Sequence, residues 1–423
     1  MRIAHVGPPL ARRGGPAGYL LQLSMAAARY GAQSGHATTF PGPEAPASPH
    51  PPSLRDLVRA RLRPLKRALL GEPEFHRPSV EDLRRSGGAV DALLRESTQA
   101  VCGAAADSID AALADDVDVL VAHEAAVAER LLDLRRPGQQ VWLTMHAPMP
   151  FGLDLAWSWS VPEWDWESIL QLPDVQHWVR WEIGVASAVD RLITPCPEAV
   201  SELARVDARF ARMPFDYVLT GAEGHGRRFP AESRAELRAR WRLPQDEPVA
   251  LFLSSPLPYR GIDVLVNAVA ALPASLPGVV AIAGSSRGTP RQHQRLRRLG
   301  MVREVSDLLH AVDFMVNVNR FSLFDLSIIE AAEAGLAMLL HATGGNIRFH
   351  RLGAGAVTLT DLNVKTVAQG LEQCFTMPGD RLAALGLASR RCYDEHLTLA
   401  HLWRGHKALY DRASADRHAR TES

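Results

Sequence analysis

The stretches FMVNV (314–318), FSLFDLSIIEAAEAG (321–335) and AMLL (337–340) decide the fold of this chain. Phe314–Val318 is a short apolar run, too brief for a helix and suited to a strand buried on both faces. Ser327–Ala334 carries Ile328, Ile329, Ala331 and Ala332 at helical spacing, and Gly335 follows as a stop. Ala337–Leu340 is again a short apolar run. Strand, loop, helix, glycine and strand in that order is a parallel βαβ unit.

The same order recurs on both sides. A second α/β unit opens near residue 235, with strands at Val249–Leu253 and Val279–Ala283 and a helix at Ile262–Ala271. In the first half, Ile3–Val6 runs into Gly7-Pro8-Pro9 and a loop with Gly14-Gly15, then a helical pattern over Tyr19–Tyr30. Further strands are expected at Val117–Ala122, Val141–Met145 and Leu192–Thr194, with a helix at Pro197–Arg205. The fold expected is α/β: two Rossmann-like, doubly wound domains facing a cleft that would hold ligands at the carboxyl ends of the strands. The expected division is an N-terminal domain over 1–222, a C-terminal domain over 235–395, a returning helix over 396–412 and a disordered polar tail over 413–423. Two segments depart from the pattern. Residues 41–100 form an irregular insertion, Pro-rich at 41–53 and basic at Arg55–Arg67. Residues 148–181 hold Trp157, Trp159, Trp164, Trp166, Trp178 and Trp181.

Composition narrows the function. The chain has 423 residues, too many for one compact core, and its 47% hydrophobic and 22% charged content is globular. Lys+Arg and Asp+Glu both total 47, which argues against a general nucleic-acid binder. Cys102, Cys196, Cys374 and Cys392 are scattered without metal-ligand spacing, as expected for a reducing cytoplasm. No secretory h-region or apolar stretch of membrane-spanning length is present, so a cytoplasmic location is expected, with peripheral membrane contact as an option.

The 321–335 segment resembles the E-x7-E region of family 4 (group 1) glycosyltransferases of the GT-B fold, with Glu330 matching the second glutamate. The resemblance implies that Glu330 binds the ribose hydroxyls of a nucleotide-sugar donor and that the amides around Phe324, Asp325 and Leu326 hold its diphosphate. Amides at a helix N-terminus favour an anion on physical grounds as well. Ser322 stands at the position of the first glutamate. Phe252–Asp263 resembles the family's Gly-Arg…Lys-Gly segment, with Arg260 in place of the phosphate-binding lysine and Ser255 in place of the second basic residue. Gly14-Gly15, Ala283-Gly284-Ser285, Thr343-Gly344-Gly345-Asn346 and the closing helix with Trp403 follow in the family's order. The resemblance implies a bacterial transferase, retaining and metal-independent, with no cofactor beyond the donor. Arg260 and His146 would be the catalytic residues. The acceptor could be a glycan, a lipid-linked molecule or a small molecule.

Several features have two readings. Gly14-Gly15 serves either a phosphate-side loop or a tight turn. His146 and His123 each follow a strand end, and each is either a sugar contact or a hydrogen-bonded structural histidine. The tryptophans either pack the insertion or offer a sugar platform. Arg55–Arg67 is either a solvated helix face or a contact with anionic lipid. At the level of function, the rivals are a degenerate homologue that binds nucleotide or glycan without catalysis and a GT-B-fold nucleotide-sugar epimerase. Ser255 and Ser322 motivate the first.

Overall fold

The structure is a computed structural model that describes residues 1–11, 15–44, 88–159, 165–224, 232–255, 257–284, 293–302 and 305–421. Gly14, Trp164 and the basic run Arg55–Arg67 lie outside the described residues. The chain divides into two compact units, Met1–Val218 with Trp403–Ser423, and Leu219–Leu402.

The first unit runs β1 (Arg2–Val6), α1 (Pro16–Tyr30), β2 (Ala37–Thr39), α2 (Ala89–Ala104), α3 (Ala106–Ala114), β3 (Val119–Ala122), α4 (Ala125–Leu134), β4 (Gln140–Thr144), α5 (Phe151–Trp159), α6 (Trp166–Leu170), α7 (Pro173–Ala188), β5 (Arg191–Thr194), α8 (Pro197–Val206) and β6 (Phe215–Tyr217). Its sheet is parallel, in the order β2-β1-β3-β4-β5-β6. β3 is buried at every position, as its unbroken apolar run requires of a strand covered on both faces. Trp157 and Trp178 are buried, and the indole N–H groups of Trp178 and Trp181 donate to Asp91 and Glu129. These three tryptophans therefore pack the insertion against α2 and α4 rather than forming an open aromatic platform.

The second unit runs α9 (Arg234–Arg240), β7 (Val249–Leu253), α10 (Ile262–Ala271), β8 (Val279–Ala283), β9 (Leu296–Gly300), α11 (Val305–Ala311), β10 (Phe314–Asn317), α12 (Leu326–Glu333), β11 (Ala337–His341), α13 (Gly344–Arg351), β12 (Ala356–Leu359), α14 (Val364–Phe375) and α15 (Gly379–His396). Its sheet is also parallel, in the order β12-β11-β10-β7-β8-β9. That is the Rossmann order, and winding reverses between β7 and β10, where the crevice at the carboxyl ends of the strands is expected. Phe252, Phe314 and Leu265 are fully buried in a core that continues to Phe375. Each such side chain contributes roughly 1.5–3 kcal/mol of apolar burial.

The four strands the sequence did not signal are β2, β6, β9 and β12. They are the edges of the two sheets. β2 (ATT) and β6 (FDY) have only three residues, and β9 (LRRLG) is mostly polar, as an edge that must resist further pairing should be.

The closing helix, α16 (Leu399–Thr421), is longer than expected. Residues 413–421 are helical, which corrects the expectation of a disordered tail. Ala413 is buried, and the last turns are tied down by Arg191–Asp416 and Arg417–Asp118 ion pairs. Among the described residues no helix is long and apolar enough to cross a membrane.

Candidate functional site

The switch point of the second unit holds Arg260 and the Phe324–Leu326 loop that enters α12. A single 3-10 turn, Pro258–Arg260, follows β7 and ends at Gly261 with φ 70°. A Cβ at Gly261 would lie 2.1 Å from the Val318 carbonyl oxygen. Only glycine lets this loop reach the end of β10, and that approach sets Arg260 beside the loop that enters α12.

Arg260 is engaged there. Its Nη1 donates to Asp325 Oδ1 at 2.5 Å, with the two side chains 20% and 11% exposed. The other carboxylate oxygen of Asp325 accepts from Asn319 Nδ2 at 2.6 Å, Asn317 Nδ2 at 3.2 Å and Ser322 Oγ at 3.3 Å. Asp325 is the N-cap of α12, yet its carboxylate makes no capping bond and turns instead toward Arg260. The expected phosphate cation and one of the expected amide-bearing residues are thus partners of each other. Phe324 is buried and stacked on Phe349 at 4.5 Å between ring centroids.

Two further elements shape the loop. A Cβ at Gly345 would fall 2.2 Å from the Leu323 carbonyl oxygen, and the Gly345 N–H donates to Ser322 O. The first turn of α13 is therefore pressed against residues 322–324. Buried Asn346 donates to Asn317 Oδ1 and the His341 carbonyl, which fixes the floor of the site. Arg320 forks onto both oxygens of Asp263 at 2.8 and 2.6 Å, tying the β10 loop to α10.

Glu330 is half-buried, one turn into α12. Burial first, and then the charge of Glu333, push its carboxyl up to about 7. Glu333 is buried and satisfied: it accepts from Tyr393 OH at 3.1 Å and from the Gly224 N–H at 3.0 Å. It anchors the segment that leads into this unit and leaves Glu330 as the half-buried acid of the pair.

In the first unit, Gly15 is the N-cap of α1 with φ 75°, and Pro16 opens the helix. No side-chain atom would meet a Cβ there, so the requirement for glycine is conformational. His123 directly follows β3, and His146 lies two residues past β4. His123 Nδ1 and His146 Nε2 are 2.8 Å apart and their rings are stacked. Burial, and next the neighbouring His406, hold His146 down to about 3, so it is a neutral ring at pH 7.

Asn317, Asn319, Glu333 and Tyr393 were not singled out by the sequence, and Asn346 entered only as the end of a Gly-Gly turn. Their one signal was Asn317-Val-Asn319-Arg320 at a strand end, polar residues where an apolar run stops.

The class the fold and these sites define is that of paired Rossmann-like units, the architecture of GT-B glycosyltransferases. Residues 247–376, all within the second unit, match the family model described as glycosyl transferases group 1. Among curated proteins, the chain is 31% identical over 195 residues to D-inositol 3-phosphate glycosyltransferase of Streptomyces avermitilis, covering 41% of this chain and 41% of that one. The chain thus spans about two fifths of the length of that relative. Among solved structures, sucrose-phosphate synthase of Thermosynechococcus elongatus is 17% identical with a TM-score of 0.66, covering 98% of this chain and 100% of that one. Anabaena Alr3699/HepE, solved in complex with UDP and glucose, is 14% identical with a TM-score of 0.59, covering 98% and 99%. The two solved structures speak to the fold.

Proposed function

We propose that the chain is a glycosyltransferase that takes a sugar from a nucleoside-diphosphate donor bound by the second unit. The observation that carries this reading is the convergence, at the β7/β10 switch point, of Arg260, the N-terminus of α12 and half-buried Glu330. The diphosphate would lie on the α12 amides within reach of Arg260, and the ribose hydroxyls would donate to Glu330. The fixed cation and amides would stabilise the charge that grows on the leaving diphosphate, without a metal. Transfer with retention to a glycan, lipid-linked or small-molecule acceptor completes the reading, with His146 as a sugar contact.

The experiment is calorimetric titration of UDP, GDP and ADP into the wild-type protein and Glu330→Ala. One nucleotide should bind the wild type, and the variant should lose roughly 1.5–3 kcal/mol of that affinity. Equal affinity in both proteins would remove Glu330 from the site.

A second reading has its own observation. Asp325 already pairs with Arg260, and Ser322 stands where the resemblance expects a glutamate. A chain that binds nucleotide yet turns over no nucleotide sugar, with any acceptor, would be a binding homologue.

A further inference from the structure

The buried centre of the first unit holds four histidines and two tyrosines that the donor reading does not use. They come from five separate places in the sequence: His5 on β1, Tyr19 on α1, His123 after β3, His146 after β4, and His406 with Tyr410 on α16. All lie within the one compact unit. Five hydrogen bonds join them end to end. Tyr19 OH meets His406 Nε2 at 2.7 Å, and His406 Nδ1 meets Tyr410 OH at 3.2 Å. Tyr410 OH meets His5 Nε2 at 2.9 Å, His5 Nδ1 meets His123 Nε2 at 3.0 Å, and His123 Nδ1 meets His146 Nε2 at 2.8 Å. Five of the six residues are buried, and His146, at the end of the chain, is half-buried.

Proton counting gives this chain a direction. Burial lowers His5, His123, His146 and His406, so each ring is neutral, with one N–H donor and one bare nitrogen. Tyr19 is buried, and His406 is its one hydrogen-bond partner among the described residues, so its hydroxyl must donate to His406 Nε2 or leave a buried donor unmade. His406 then carries its proton on Nδ1 and donates to Tyr410. Among the described residues, Tyr410 OH then has only His5 to donate to. His5 is therefore protonated on Nδ1 and donates to His123, and His123 likewise donates from Nδ1 to His146 Nε2. Each step leaves the next ring no choice.

We infer that Tyr19, His406, Tyr410, His5 and His123 are positioning residues that lock His146 in the Nδ1–H tautomer, so that it presents a fixed neutral N–H donor to an oxygen of a bound sugar. His146 then orients a hydroxyl or ring oxygen and is not a general base. The chain also does not conduct. Passing a proton out through His146 Nδ1 would reverse every bond and leave a phenolate on Tyr19, and burial raises that hydroxyl. The lock stands on the first unit alone. Only the identity of the oxygen rests on the sugar-transfer reading.

The test is long-range proton–nitrogen NMR on full-length, ligand-free protein labelled with 15N-histidine, with His146 assigned by its absence in His146→Gln. The expected result is a single His146 tautomer, protonated on Nδ1. In Tyr410→Phe, which keeps the ring but removes the middle link, His146 should become a mixture of both tautomers. A wild-type His146 protonated on Nε2, or already mixed, overturns the lock without any variant. An unchanged single tautomer in folded Tyr410→Phe overturns it too. A protein that shows the tautomer but transfers no sugar would sink the transfer reading and leave the lock standing.

Discussion

Asp325→Asn is the substitution that most sharply separates an anion-binding site from a decorative one. The Asp325 carboxylate lies at the N-cap of α12, where the diphosphate is proposed to sit, and holds Arg260 at 2.5 Å. A diphosphate arriving on the first-turn amides meets that negative charge and must share the arginine with it. Two unit charges about 5 Å apart at an effective dielectric of about 20 repel by roughly 3 kcal/mol. Partial exposure of both side chains, 11% and 20%, and ordinary salt reduce this. A net gain of about 1–2 kcal/mol, or roughly five- to thirtyfold in nucleotide affinity, is expected when the charge is removed. Asparagine retains an oxygen acceptor for Arg260 and nearly the same shape, but its amide nitrogen replaces the oxygen that accepts from Asn317, Asn319 and Ser322, so those side chains must reorient and some stability is lost. Calorimetric titration of UDP and GDP at fixed ionic strength reads the affinity, and a melting curve confirms the fold. Unchanged or weaker binding in a folded Asp325→Asn protein would refute the reasoning, because the diphosphate would then not approach α12.

Further outcomes follow from the same geometry. Burial raises the folded-state pKa of Glu330 to about 7, above its unfolded value, so its contribution to stability is full at acid pH and lost as pH rises through about 7. Glu330→Gln should therefore melt like wild type at pH 4 and be more stable by about 1–3 kcal/mol at pH 8.5. If the ionised carboxylate accepts from the ribose, wild-type affinity for UDP should rise by about tenfold between pH 6 and 8 relative to Glu330→Gln, the phosphate ionisation being common to both. Gly345→Val would drive a side chain against the Leu323 carbonyl oxygen, which lies 2.2 Å from where a Cβ would stand, and should cost about 1–3 kcal/mol in denaturant titration together with nucleotide affinity. Turnover measured in EDTA should match turnover in magnesium. Complete loss, restored by the metal, would contradict stabilisation by Arg260 and amides.

The interior strands were legible because each is a short apolar run that must be covered on both faces, as VALFL and VVAIA are. The edges were not, because β2, β6 and β9 are short or polar for the reason that makes them edges. The helical end of α16 was misjudged from its polarity, since partners such as Asp118 and Arg191 lie far away in sequence. Arg260 and Glu330 could be singled out because the short segments around them carry the resemblance to the family. The pairing of Arg260 with Asp325 could not, since it depends on Gly261 bringing two loops together across the switch point. The histidine–tyrosine chain is invisible in sequence for the same reason: its links bridge separations as large as that of His5 from Tyr410.

The most direct test of donor use is release of nucleoside diphosphate from a panel of UDP-, GDP-, ADP- and dTDP-sugars, comparing wild type with Arg260→Ala. Charge grows on the phosphate as the glycosidic bond breaks, so the cation should bind the transition state more tightly than the ground state. Wild type should release nucleoside diphosphate from at least one donor, and Arg260→Ala should do so slower by a factor on the order of a hundred or more. Near wild-type release by a folded Arg260→Ala protein would contradict the account and remove the donor from the β7/β10 switch point.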